Sequence, residues 1–338
     1  MSLLEATGLA KLYPAGDGLF ARSRESIRAV DGVSFQLERG ETLGLVGESG
    51  CGKSTLGRLV LRLEEPTAGK IALDGHDITS LPENRLRKLR RKMQIIFQDS
   101  YSSLNPRQTV GSIIGEPLAN YRIASRQGIR QMVGELLATV GLDPGLACGY
   151  PHEFSGGQRQ RINIARALAL RPEIIVCDEP VSSLDVSIQA QILNLLQELK
   201  QSLGLSYIFI SHDLAAVSYI SDRVAVMYMG KLVEILGCRD LEKRARHPYT
   251  RALLAAVPRA EPRRRARAAV RGEPPDPLHP PKGCRFHPRC PIAVEKCRVE
   301  EPLLQAGGDG HPVACHASDE LSSALVRVKL PKIVDRFF

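Results

Sequence analysis

The chain has 338 residues, 43% of them hydrophobic, without tryptophan and with only 5% aromatic residues. That length suits one large domain with an appendage, or two domains, around an aliphatic core. No run approaches the eighteen or more apolar residues of a membrane span, and residues 1–18 lack the charged-then-apolar pattern of a signal peptide. The expectation is therefore a cytoplasmic chain. Its net charge of +9 permits anionic partners such as nucleotide, nucleic acid or an acidic membrane surface, without choosing among them.

In chain order, Leu3 to Lys11 reads as an edge strand. Val33, Phe35 and Leu37 alternate with polar residues in a second strand, and Asp31-Gly32 is a hairpin-type turn signal. Thr42 to Val46 is a short apolar strand leading into Gly47-Glu48-Ser49-Gly50-Cys51-Gly52-Lys53-Ser54-Thr55. This stretch fits the pattern of a phosphate-wrapping loop. Gly47, Gly50 and Gly52 let the backbone curl and aim N–H groups inward. The helix expected over residues 55–63 adds its positive end. In such a site Lys53 reaches the β- and γ-phosphates of a nucleotide, and the Ser54 hydroxyl ligates Mg²⁺.

Further strands are expected at residues 70–73 and 94–97, with a basic helix over 81–92 between them. Ser155-Gly156-Gly157-Gln158 opens a helix running to residue 170, a second anion-binding helix start that has no lysine. Ile174 to Cys177 is a continuous apolar run, as expected of a central parallel strand. After an amphipathic helix over residues 188–203, Ser206 to Ile210 makes another such strand. Strands alternating with helices predict an α/β fold with a mainly parallel sheet. Gln98, Asp178 and His212 fall just past strand ends, where phosphate ligands sit in such sheets. Asp178 is expected to hold Mg²⁺ and Glu179 to polarise the water that attacks the γ-phosphorus.

Composition changes after Pro258. Residues 259–271 carry six arginines and residues 274–281 are proline-rich. This marks off residues 1–258 as the nucleotide-binding domain, 259–283 as a linker and 284–338 as a cysteine-containing extension. Cys284, Cys290, Cys297 and Cys315 crowd into a segment with little apolar material for a core. Four thiolates on irregular loops suit a structural Zn²⁺ or a [4Fe–4S] cluster, and the spacing alone does not decide between them.

These residues resemble the ATP-binding-cassette ATPases. Phe154 to Gln158 is similar to the family's signature, residues 47–55 to its phosphate loop and residues 174–179 to its acidic strand. Ser183-Leu184-Asp185 is similar to its D-loop, Gln98 to its Q-loop glutamine and His212 to its switch histidine. Tyr13 stands where the family stacks an aromatic ring on adenine. The resemblance implies an ABC-type P-loop fold: a mainly parallel sheet core, an antiparallel β subdomain and a helical signature subdomain. It implies two ATPases that sandwich two ATP molecules, each between one subunit's phosphate loop and the other's signature. Gly47, Ser49, Gly50, Cys51, Gly52, Lys53, Ser54, Thr55, Asp178 and Tyr13 then contact the subunit's own ATP. Ser155, Gly156, Gly157, Gln158 and Asp185 contact the partner's. Glu179, His212 and Gln98 are the catalytic set, with Ser54, Gln98 and Asp178 around Mg²⁺.

Residues 97–107, Tyr150-Pro151-His152-Glu153 and residues 247–254 further resemble oligopeptide and dipeptide importer ATPases, as does the Pro- and Cys-containing tail. The loop between Tyr13 and Val30 is similar to that of the second, F-type ATPase of dipeptide systems. Among the tail's metal options, this resemblance favours [4Fe–4S] over Zn²⁺. It also implies a peripheral place on the cytoplasmic face of the inner membrane. The implied partners are a second ATPase, two permease subunits and, indirectly, a peptide-binding protein, with no nucleic acid. The rival, a soluble cassette ATPase acting on nucleic acid or ribosomes, is expected to carry two ATPase domains or a coiled-coil insertion. Neither is present.

Overall fold

A computed structural model describes residues 2–14, 25–99, 103–257, 272–306 and 310–317. The arginine run of 259–271, residues 15–24 of the loop between Tyr13 and Val30, and residues 318–338 lie outside the described residues. The chain divides into two compact units, one of residues 1–37, 43–79 and 212–338, the other of residues 38–42 and 80–211.

The first unit begins with β1 (Ser2–Pro14) and β2 (Ser26–Glu38), followed by β3 (Thr42–Val46), α1 (Lys53–Val60), β4 (Ala68–Leu73) and β5 (His76–Asp77). Four of these strands form a sheet in the order β2-β1-β4-β5. β1 is thus an inner strand, not an edge. It is antiparallel to β4, with Leu4 opposite Leu73 and Ala6 opposite Ile71, all buried. Nor do Asp31 and Gly32 turn a hairpin: both lie inside β2, where Gly32 takes φ +72°. The Asp31 N–H donates to the Gly230 carbonyl at 2.9 Å, so this backbone donor is satisfied by a later loop and not by a hairpin partner.

The second unit holds α2 (Glu83–Leu89), β6 (Met93–Ile96), α3 (Val110–Asn120), α4 (Arg126–Thr139), α5 (Gly156–Leu168), β7 (Ile174–Asp178), α6 (Val186–Leu203) and β8 (Ser206–Ile210). β6, β7 and β8 are parallel, with Cys177 between Ile96 and Phe209. Every residue of β7 and β8 is buried, which is why both read as unbroken apolar runs. Ile162, Ala165, Leu168 and Ala169 form the buried face at α5, as their spacing predicts.

The chain then returns to the first unit through α7 (Leu214–Ile220), β9 (Arg223–Tyr228), β10 (Lys231–Gly237), α8 (Leu241–Arg244) and α9 (Pro248–Ala256). α10 (Glu295–Val299), β11 (Gln305–Ala306) and β12 (Pro312–Val313) belong to the tail. β9 runs parallel to β3 and antiparallel to β10, and the two-residue strands β12 and β11 extend this ribbon beyond β10. Among the described residues no helix is long and apolar enough to cross a membrane.

The tail is fixed to the rest of its unit by a buried polar cluster. Glu234 on β10 is fully buried and accepts from the backbone N–H groups of Arg246 and His247, while His311 approaches its carboxylate at 2.9 Å. His247 caps α9, its Nδ1 accepting from the Tyr249 N–H at 3.1 Å. Burial lowers the His247 pKa to about 4, only partly opposed by Glu234. A lowered histidine pKa means that the unfolded chain takes up the proton first, so stability falls as pH drops from about 6.5 towards 4. The shift corresponds to about 3 kcal/mol when complete. His247→Asn keeps a capping oxygen and removes the titration. Its unfolding free energy, measured by urea titration, is expected to fall less steeply than the parent's between pH 6.5 and 4; parallel curves would count against it.

Candidate active site

The phosphate loop joins β3 to α1. Gly47 has φ +157°, and a Cβ there would lie 2.2 Å from the Met227 carbonyl oxygen. Gly52 has φ +104°, and its Cβ would lie 2.0 Å from the Ala29 carbonyl oxygen. Only glycine fits between these backbones, and the space saved is what lets the loop close on itself. Lys53, buried at 5% exposure, turns back over the loop and donates to the carbonyls of Gly47 at 2.8 Å and Glu48 at 2.9 Å. Cys51 is buried against it, its thiol raised by burial despite the ammonium beside it. Ser49 and Gly50 are exposed at the tip, and Ser54 and Thr55 sit half-buried in the first turn of α1. Tyr13 is the last but one residue of β1, with its hydroxyl donating to Glu64 and Lys11 Nζ lying 5.3 Å from its ring centre.

In the second unit, Asp178 closes β7 with a buried side chain at 5% exposure. Glu179 follows with φ +47°, a left-handed backbone that costs a non-glycine residue roughly 1–3 kcal/mol and concentrates at functional sites. Its N–H is tied to the Ile210 carbonyl at 2.9 Å. The exposed Gln98 side chain donates through Nε2 to Glu179 Oε2 at 3.0 Å. Two residues 81 positions apart, each singled out for catalysis, are thereby brought into one hydrogen bond.

Ser155 and Gln158 form a capping box at the start of α5: Ser155 Oγ accepts from the Gln158 N–H at 3.3 Å, and Gln158 Oε1 from the Ser155 N–H at 2.9 Å. A Cβ on Gly156 would meet Leu184 at 3.2 Å, and one on Gly157 would meet Ile188 at 2.7 Å. Both glycines thus let α5 start against the first turn of α6 and the residue leading into it. Asp185 caps α6 by accepting from the Ile188 N–H at 3.0 Å and the Ser187 hydroxyl at 2.8 Å, and these bonds lower its pKa. His212 is exposed in the first unit, just beyond β8.

The cysteine tail departs from expectation. Among the described residues no group of three or more His, Cys, Asp or Glu side chains is arranged to hold a metal ion. Neither a [4Fe–4S] cluster nor Zn²⁺ at Cys284, Cys290, Cys297 and Cys315 stands. None of the four is joined in a disulfide, and burial pushes the thiols of Cys284 and Cys315 up to about 11. The cross-linking that a core-poor tail needs comes instead from residues 285–289. Arg285 pairs with Asp31 and donates to the Met229 carbonyl. Phe286 is 2% exposed and packs against Tyr228, Tyr249 and His247, with ring centres 5.3–5.7 Å away. Arg289 bonds Glu48 of the phosphate loop with both nitrogens. Sequence reasoning missed Arg285, Arg289 and Glu48 as functional candidates, because nothing in the local pattern links a tail arginine to a loop 241 positions earlier.

A family model described as ABC transporter matches residues 30–182, and one described as oligopeptide/dipeptide transporter, C-terminal region, matches residues 233–297. The oligopeptide transport ATP-binding protein AppF of Bacillus subtilis is 53% identical over 319 residues, covering 93% of this chain and 97% of its own. The chain belongs to the ATP-binding subunits of oligopeptide/dipeptide ABC transporters. A probable peptide ABC transporter ATP-binding protein, y4tS of Sinorhizobium fredii, is 52% identical over 98% of this chain and 96% of its own length. The dipeptide transport ATP-binding protein DppF of Haemophilus influenzae is 51% identical over 94% and 97%. Among solved structures, the ATP-binding cassette MJ0796, described as a dimer in a post-hydrolysis state with ADP and Pi, is 30% identical with a TM-score of 0.62. It covers 70% of this chain and 99% of its own. An ABC-type P-loop ATPase fold and ATP hydrolysis follow from membership of this family, and the expected α/β class holds.

Proposed function

We infer that this subunit hydrolyses ATP, as one half of a pair of ATPases, to drive import of peptides through a membrane-embedded permease. The observation that carries the reading is the Gln98–Glu179 hydrogen bond beside a buried Asp178, in a chain that also has a lysine-bearing phosphate loop. Relatives named for peptide, dipeptide and oligopeptide transport support the substrate class.

Each side chain has a task set by its chemistry. The phosphate-loop N–H groups and Lys53 hold the β- and γ-phosphates and offset their charge. The Ser54 hydroxyl, the Asp178 carboxylate and the Gln98 amide oxygen are hard oxygen donors of the kind Mg²⁺ takes. When bound, Mg²⁺ neutralises charge developing on the transferring phosphoryl group. Glu179 accepts the hydrogen bond of the attacking water and orients it, with its left-handed backbone fixing the direction of approach. Gln98 holds that carboxylate in place. His212 donates to the γ-phosphate, and Tyr13 offers its ring to adenine. Ser155, Gly156, Gly157, Gln158 and Asp185 face the nucleotide bound by the partner subunit. In this organisation residues 1–258 are the ATPase and residues 284–338 an extension, joined by 259–283. The subunit sits on the cytoplasmic face of the membrane against two permease chains, with a peptide-binding protein delivering the solute.

The test is purification of the full complex and its reconstitution into liposomes. Peptide uptake should require ATP inside the vesicle on the ATPase side, and ATPase activity should rise with peptide-loaded binding protein. Purification with RNA, without permease chains and without peptide-dependent uptake, would favour a soluble cassette ATPase instead.

A further inference from the structure

Glu48 is the second residue of the phosphate loop, and all of its polar groups are engaged within the first unit. Its N–H donates to the Tyr249 hydroxyl at 2.8 Å, and its carbonyl accepts from Lys53 Nζ at 2.9 Å. Its carboxylate takes a two-pronged contact from Arg289, with Nη1 to Oε2 at 2.8 Å and Nη2 to Oε1 at 2.9 Å. The Arg289 side chain is 6% exposed and that of Glu48 25%, so water screens the pair weakly. Arg289 is itself fixed, its Nη1 3.3 Å from the Tyr228 hydroxyl and its guanidinium 5.8 Å from the centre of that ring. Phe286, three residues earlier, is wedged among Tyr228, Tyr249 and His247. The arginine therefore comes from the tail, outside the stretch that carries the phosphate-binding motifs, and its geometry is imposed by packing.

A carboxylate in this position is an electrostatic liability. The loop must accept a polyphosphate, and an uncompensated negative charge on the loop itself would repel it. A guanidinium in bidentate contact cancels that charge and does so at any physiological pH. We propose that Arg289 is a positioning residue for ATP binding: by neutralising and orienting Glu48 it sets the phosphate loop's affinity, so the C-terminal extension tunes nucleotide binding. In this role Arg289 acts through Glu48, whose carboxylate it holds with both nitrogens. The proposal rests on the reading of the loop as an ATP site.

The test uses the full-length chain, titrated with Mg·ATP by calorimetry, and the assembled transporter for kinetics. Arg289→Ala should raise the Kd for Mg·ATP roughly three- to tenfold, the scale of one unscreened charge near the phosphates. In the transporter the KM for ATP should rise by a similar factor while kcat stays within about twofold, the mark of lost binding that is uniform between ground and transition states. Arg289→Lys retains the charge without the fork and should lose less. The decisive comparison is made in a Glu48→Gln background, where no charge needs cancelling: adding Arg289→Ala there should change Kd by less than about twofold. Equal losses in both backgrounds would assign the effect to tail packing and overturn the proposal. So would an unchanged Kd in Arg289→Ala. Absence of Mg·ATP binding by the parent chain would instead defeat the ATP-site reading itself. Thermal melting of each variant identifies any that fail to fold, and the Lys variant then carries the comparison.

Discussion

Glu179→Gln in the assembled transporter is expected to reduce ATP hydrolysis by about 10²–10⁴-fold, the usual worth of a positioned general base. The substitution keeps the shape and the hydrogen-bonding reach of the side chain but removes its capacity to take a proton from water. Gln98 donates to Glu179 Oε2, and an amide oxygen at that position still accepts, so the local geometry should survive. ATP binding should therefore remain close to that of the parent, and nucleotide should accumulate unhydrolysed on the complex. The two measurements are phosphate release under saturating ATP and retention of labelled ATP after rapid desalting. Near-parental hydrolysis in Glu179→Gln would remove Glu179 from the water-activating role. A change at Gln98 should act in the same direction with a smaller effect, because it loosens the carboxylate without removing it.

The second large effect is expected at Gly157. An added Cβ would lie 2.7 Å from Ile188 Cγ2, so any side chain there forces the Ile188 side chain or the backbone beside it to give way. Gly157→Asp adds a carboxylate at the positive end of α5, in the place proposed to meet the partner's phosphates. ATP-dependent pairing of the two ATPases should fail, and hydrolysis in the assembled transporter should fall by about 10²-fold or more, the scale of a lost transition-state electrostatic contact. The isolated chain should still bind ATP, since Lys53 and the loop it closes belong to the other compact unit. Gly157→Ala measures the packing component alone, and the additional loss in the Asp variant reports the charge. Loss of ATP binding by the isolated Asp variant, with native circular dichroism, would argue against action on a partner's nucleotide.

Much of the site was legible because its chemistry is local in the sequence. A phosphate loop needs three glycines, a lysine and a hydroxyl within a few residues, since one turn of backbone must do the wrapping, and the chain shows that pattern directly. Gly47 and Gly52 indeed sit where a Cβ would strike the carbonyls of Met227 and Ala29. The parallel strands were equally plain, because burial on both faces leaves unbroken apolar runs such as Ile174 to Cys177. The capping of α5 by Ser155 and Gln158 follows from a four-residue pattern.

Other features turn on partners distant in sequence, and these only the tertiary structure decided. Asp31-Gly32 has the composition of a hairpin turn, yet β2 runs through it, with the Gly230 carbonyl taking the Asp31 N–H and Arg285 and Lys231 holding the carboxylate. β1 becomes an inner strand because β2 and β4 flank it, which its own alternation cannot reveal. The four tail cysteines suggest a metal by crowding alone, whereas cross-linking comes from two arginines and a phenylalanine whose contacts lie on other elements. Local spacing fixes what a residue type is able to do over a few ångströms of chain. Which charge it meets across 241 positions depends on packing, and that is how Arg289 comes to rest on the phosphate loop.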